Sequence, residues 1–94
     1  MFKLSNKASV DLDELLDYSI INFGVDVTIQ YHQSLEQCFE MLDKNPDLGT
    51  PSEHIRSDYL CFIHRSHLVF YKKTNEGILI IRLLHKSMDA PQHL

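Results

Sequence analysis

The stretch YLCFIHRSHLVFYKKTNEGILIIRLLH, residues 59–85, decides the architecture of this chain. It holds three apolar runs separated by two short breaks. Tyr59 to Arg65 reads as a strand, a turn near Ser66 comes next, and Leu68 to Lys73 reads as a second strand. Asn75-Glu76-Gly77 has the residue types of a turn, because Asn bonds its own backbone and Gly accepts positive φ. Ile78 to His85 is then a third strand. Connections this short join antiparallel neighbours.

Upstream, the apolar period becomes helical. Phe2 to Leu4 is a short strand, and Ser5 or Asn6 can cap a helix beginning just after it. Asp11 and Asp13 are expected early in this first helix, where the macrodipole favours acids. Leu12, Leu15, Leu16, Ile20 and Phe23 recur at helical spacing and predict its buried face. Gly24 ends it, accepting a backbone conformation that a Cβ disfavours. A second helix starts near Val25, with Tyr31, Leu35, Cys38, Phe39 and Leu42 on one face and Gln30, Gln33, Glu36, Gln37 and Glu40 on the other. It ends at Lys44-Asn45, since Pro46 disfavours helix in the residue before it. Residues 46–51 form a loop. The order is βααβββ over residues 1–94: a single α+β domain with a helical hairpin packed on an antiparallel sheet. Which edge the first strand joins is open.

The chain has 94 residues, 44% hydrophobic and 23% charged, which suits one ordinary globular domain. No signal peptide and no apolar run of roughly 20 residues is visible, so a cytoplasmic protein is expected. Cys38 and Cys61 lie inside apolar patterns and read as small buried hydrophobes. The net charge of −4 is uneven. Residues 1–53 carry three lysines against ten acids, a net of −7; residues 54–94 carry six cations against three acids, a net of +3. The first part is repelled by nucleic acid, and the second can accept an acidic partner.

Several of these segments together resemble the ParE branch of the RelE/ParE toxin family. They are Asp11-Leu12 with Leu15, Tyr18 and Phe23-Gly24; Leu35, Phe39 and Leu42 with Pro46, Leu48 and Gly49 after them; Ile55-Arg56 with Tyr59; and Ser66-His67-Leu68-Val69-Phe70-Tyr71. The most specific piece is Arg82-Leu83-Leu84-His85-Lys86-Ser87-Met88-Asp89. The likeness spans nearly the whole chain in order. It implies a toxin held inactive by a ParD-like antitoxin and acting on DNA gyrase. RelE-type relatives share the fold and cut mRNA on the ribosome.

Cleavage of RNA by attack of a 2′-hydroxyl needs a base, a proton donor and cations on the developing phosphorane charge. Arg65, Arg82, His85 and Lys86 supply such types, with His64 and His67 nearby in sequence. The C-terminus lacks an aromatic acid, His93 being a distant substitute, and the acidic whole argues against direct nucleic-acid binding. A non-enzymatic inhibitor of gyrase is therefore the leading reading; an mRNA endonuclease, or a binding module that has lost toxicity, are the alternatives. The spacing His64-x-x-His67 lacks the further ligands a zinc site needs and reads as turn histidines bonding backbone or solvent. No Gly-rich phosphate loop, nucleophile elbow or carboxylate dyad implies a cofactor or a catalytic residue. Contact with antitoxin or target is assigned to Arg56, Arg65, Arg82, His85, Lys86 and Met88. The segment from Arg82 to Leu94 is expected to stay extended because of Pro91 and to reach the target. Ile78 to Leu84 is apolar on both faces apart from Arg82, which predicts an uncovered sheet face for an antitoxin segment or, alternatively, a second copy in a homodimer.

Overall fold

The computed structural model describes every residue except Asp89. Its elements are β1 (Phe2–Leu4), α1 (Asn6–Phe23), α2 (Val25–Lys44), a 3-10 turn (Pro46–Leu48), β2 (Thr50–Pro51), β3 (Leu60–His64), β4 (His67–Thr74), β5 (Gly77–His85) and α3 (Ala90–His93). The strand order is β1-β5-β4-β3-β2. β2 to β5 are antiparallel, as their short connections require. β1 runs parallel to β5, with Phe2, Lys3 and Leu4 opposite Ile78, Leu79 and Ile80, so the sheet is mixed at this edge. The connection from β1 to its parallel neighbour β5 contains the whole helical hairpin and β2 to β4, far more chain than a parallel return needs.

Ser5 caps α1: its Oγ accepts from the Ala8 amide (3.0 Å) and donates to the Ile81 carbonyl (2.7 Å), fixing the helix start against β5. Asp11 and Asp13 consequently fall beyond the first turn, not early in the dipole's reach as the sequence implied. Gly24, at φ 88°, turns α1 directly into α2. α2 meets the core through Leu35, Cys38, Phe39 and Leu42, with Tyr31 at its margin, while Gln30, Gln33, Glu36, Gln37 and Glu40 are exposed. From the sheet, Val69, Tyr71, Ile78, Ile80 and Leu83 complete the same core.

The apolar face of α1 departs from its periodicity. Ala8, Leu12 and Leu15 pack on the core, but Ile20 is 45% and Phe23 62% exposed. From residue 16 to residue 30 only Ser19 and Thr28 are buried, and they bond each other, Thr28 Oγ1 to Ser19 Oγ at 2.7 Å. The hairpin outruns the sheet, and among the described residues nothing packs beneath its distal half to bury Ile20 and Phe23.

The far face of the sheet is covered in part, where its composition implied an uncovered surface. Phe70 alternates with the core residues Val69 and Tyr71, and Leu84 with Leu83, so both point away from the hairpin. Yet Phe70 is 2% and Leu84 1% exposed, so the chain itself covers that part. A register shift at Phe70/Tyr71 resets the alternation of β5 between Ile80 and Arg82. Among the described residues no helix is long and apolar enough to cross a membrane.

Candidate functional site

Register brings the candidate residues together at one end of the sheet. His64 pairs with His67 across the β3–β4 turn, and His67 pairs with His85 at the end of β5. The His67 and His85 rings meet edge-on, 5.4 Å apart. Arg65 occupies the turn at φ 54°, unusual for a side-chain-bearing residue, and its guanidinium lies 5.5 Å from the Tyr31 ring centroid. Tyr31 reaches from α2 to His67, Oη to Nδ1 at 2.7 Å, and Ser34 reaches His64, Oγ to Nε2 at 3.1 Å. The two turn histidines thus each bond a side chain of α2 through one ring nitrogen.

This environment sets the charge of the cluster. Burial, with the nearby Arg65 cation, lowers the His64 pKa. Burial, then His85 and His64, lowers that of His67. Burial also raises Tyr31. The cations presented to solvent are therefore Arg65 and Lys86; the Lys86 amide bonds the Ser66 carbonyl at 2.9 Å and so holds that lysine beside the β3–β4 turn. His85 Nδ1 accepts from the Ser87 amide (3.1 Å) and bonds its hydroxyl (2.8 Å). Met88 comes next, 46% exposed. Beside this end, β2 pairs only with Leu60 and Cys61. Among the described residues, the outer edge of β3 from Phe62 to His64 has no strand against it, and Ile63 there is 61% exposed.

Two of the expected contact residues lie elsewhere. Arg56 is exposed in the loop before β3, its amide bonded to the Ser52 carbonyl and its carbonyl to the Tyr59 amide. Arg82 is 15% exposed and is gripped by Asp11 of α1, Nε to Oδ2 at 2.7 Å and Nη2 to Oδ1 at 3.0 Å. The Asp11 bond, with its charge and that of Glu14, holds the guanidinium above its ordinary pKa. The Arg82 Nη1 donates to the His93 carbonyl. That carbonyl belongs to α3, so the tail is folded back instead of extended. Pro91 sits in the first turn of α3, where its missing N–H costs no helical bond. Asp89 of the ending motif lies outside the described residues. Cys38 and Cys61 are free thiols, and burial pushes Cys38 up to about 11, consistent with an inert packing role. Among the described residues no three His, Cys, Asp or Glu side chains gather to hold a metal.

The profile of the ParE toxins of the parDE type II toxin–antitoxin systems matches residues 2–90. Toxin ParE1 of Caulobacter vibrioides is 38% identical over 93 residues, covering 99% of this chain and 96% of the relative. Toxin ParE1 of Mycobacterium tuberculosis is 33% identical over 94 residues, with the same coverage. The chain belongs to the ParE toxin family. A solved structure described as a chromosomal ParDE TA system from P. aeruginosa shares its fold, with a TM-score of 0.75 over 89% of this chain and 92% of that one, at 22% identity.

Tyr31, Ser34 and Asp11 are the site residues that sequence reading misses. Helical spacing puts Tyr31 on a core face and gives its hydroxyl no role. The signal for Asp11 is Arg82 itself: a lone cation within an apolar strand needs an acid to meet it.

Proposed function

We propose that this chain is the toxin of a ParDE-type module, that it inhibits DNA gyrase without chemistry of its own, and that a ParD-like antitoxin neutralises it. The observation that carries this reading is the end-to-end likeness to relatives named Toxin ParE1. The geometry supports the non-enzymatic part. Of the cations offered for phosphorane stabilisation, Arg82 is withdrawn by its pairing with Asp11, leaving Arg65 and Lys86. His85, the candidate proton carrier, is held by Ser87. Inhibition without chemistry requires only preferential binding to one state of the target.

The antitoxin is assigned to the end built from Arg65, His85, Lys86 and Met88, and to the open β3 edge beside it. An acidic segment adding backbone bonds along Phe62–His64 would place carboxylates near Arg65 and Lys86. Induction of the chain in cells, with and without its neighbouring reading frame, tests the reading. Growth arrest relieved by co-expression, DNA-damage response ahead of translation arrest, and loss of supercoiling by purified gyrase are expected. Codon-linked mRNA cuts abolished by His85→Ala would replace it with the endonuclease reading.

A further inference from the structure

The distal half of the helical hairpin has no role in the fold's core or in the basic end of the sheet. Tyr18 (63% exposed), Ile21 (83%), Phe23 (62%), Val25 (58%) and Ile29 (50%) all stand in solvent around one projecting tip. Isolated apolar side chains are ordinary on a surface, but several gathered on one projecting element mark an interaction site. The tip is also preorganised. Thr28 Oγ1 donates to Ser19 Oγ and lies 2.8 Å from the Gly24 carbonyl, tying the two helices together at their junction. The Tyr18 and Phe23 rings meet edge to face, 6.3 Å apart. That pair therefore has less side-chain freedom left to lose on docking.

Charge selects the occupant. Between Ala8 and Asp43 the sequence has no lysine or arginine and eight acids, of which Asp13, Glu14, Asp17 and Asp26 are exposed on the distal hairpin or just before it. Two such tips facing each other would oppose carboxylate to carboxylate, which disfavours a second copy. Phosphate backbones are repelled for the same reason. An acidic antitoxin segment belongs instead at the cationic end of the sheet, which α2 meets at Tyr31, below the tip.

We propose that the hairpin tip is the surface by which the toxin engages its target, entering an apolar groove of a protein rimmed by lysine or arginine whose walls cover Ile21 and Phe23 on opposed sides of α1. The proposal rests on the toxin function and deepens it by separating two surfaces: a cationic sheet end for the antitoxin and an acidic, apolar tip for the target.

Two double variants test it in the full chain: Ile21→Ser with Phe23→Ser, and Asp17→Lys with Asp26→Lys. All four side chains are exposed, so folding should persist, as circular dichroism would verify. Each variant, induced in cells, should lose growth arrest, survival rising about tenfold or more as expected when an anchor is removed from an interface. Each should still bind the co-expressed antitoxin with wild-type affinity. Full arrest by both variants would overturn the proposal, as would loss of antitoxin affinity in step with toxicity, or a wild-type chain that arrests nothing. A purified wild-type dimer that the Ile21→Ser, Phe23→Ser variant converts to monomer would reassign the tip to self-association. Supercoiling by purified gyrase is read separately. Tip-dependent arrest with gyrase unaffected would reject gyrase as target and leave the tip in place.

Discussion

Asp11 holds both the side chain of Arg82 and the backbone beside it: one carboxylate oxygen accepts from Arg82 Nε at 2.7 Å and from the Leu83 amide at 3.0 Å. β1 covers β5 only as far as Ile80, so the edge beyond it needs another acceptor, and α1 supplies one. Removing Asp11 leaves a half-buried guanidinium and an unpaired amide. Asp11→Ala should therefore destabilise the fold by about 2–4 kcal/mol, whereas the paired change Asp11→Leu with Arg82→Met should recover part of that loss. Urea unfolding of the single and double variants measures both.

Tyr71 is fully buried, and its hydroxyl donates to the Pro46 carbonyl (2.7 Å) while accepting from the Gly49 amide (2.9 Å). It thus fastens the loop after α2 to the centre of the sheet. Tyr71→Phe should lower stability by about 1–3 kcal/mol, since two buried backbone groups lose their partner. Gly49→Ala should be worse than an ordinary loop substitution, because its Cβ would come within 2.8 Å of the Tyr71 ring. Thermal unfolding of the two variants provides the measure.

β2, inside the segment read as loop, and α3 are too short to show a period, but the order of the longer elements was readable because each one is periodic and bounded by Gly24, Pro46 or Gly77. The α2 face was readable for the same reason. Three features were not. The exposure of Ile20 and Phe23 depends on where the sheet stops beneath α1, which helical periodicity does not encode. The burial of Phe70 and Leu84 depends on chain folding back over a face that alternation alone leaves bare. The Tyr31–His67 and Asp11–Arg82 bonds join residues 36 and 71 positions apart, and no local pattern marks them. At the site, the clustering of Arg65, His85 and Lys86 is a consequence of strand register once the turns are placed. The withdrawal of Arg82 is not.

The histidine cluster makes stability depend on pH. The pKa values of His64 and His67 are lowered from 6.5 in the folded chain, so the unfolded chain binds more protons as the medium becomes acidic. Their contribution is therefore fully present above about pH 6.5 and is lost as the pH falls through the unfolded value towards the lowered folded ones. Unfolding midpoints taken between pH 7.5 and 5 should fall over that window. His64→Gln with His67→Gln should flatten the slope there. An unchanged slope in the double variant would assign the pH dependence to other groups.

The C-terminal turn should prove structural. α3 supplies the His93 carbonyl to Arg82, its Leu94 amide closes on the Ala90 carbonyl at 3.0 Å, and both Ala90 and Leu94 are partly buried. Removing residues 90–94 takes away one charge-assisted bond and that partial burial, a loss of about 1–3 kcal/mol. Arg82 remains paired with Asp11, so the truncated chain should fold at 25 °C with a lower unfolding midpoint. Because Arg65, His85, Lys86 and Met88 are retained, antitoxin affinity should stay near wild type. Because the hairpin tip is untouched, growth arrest should also persist at a temperature where the truncated chain is folded. Arrest that disappears while the truncated chain remains folded and antitoxin-competent would move target engagement from the hairpin tip to the tail.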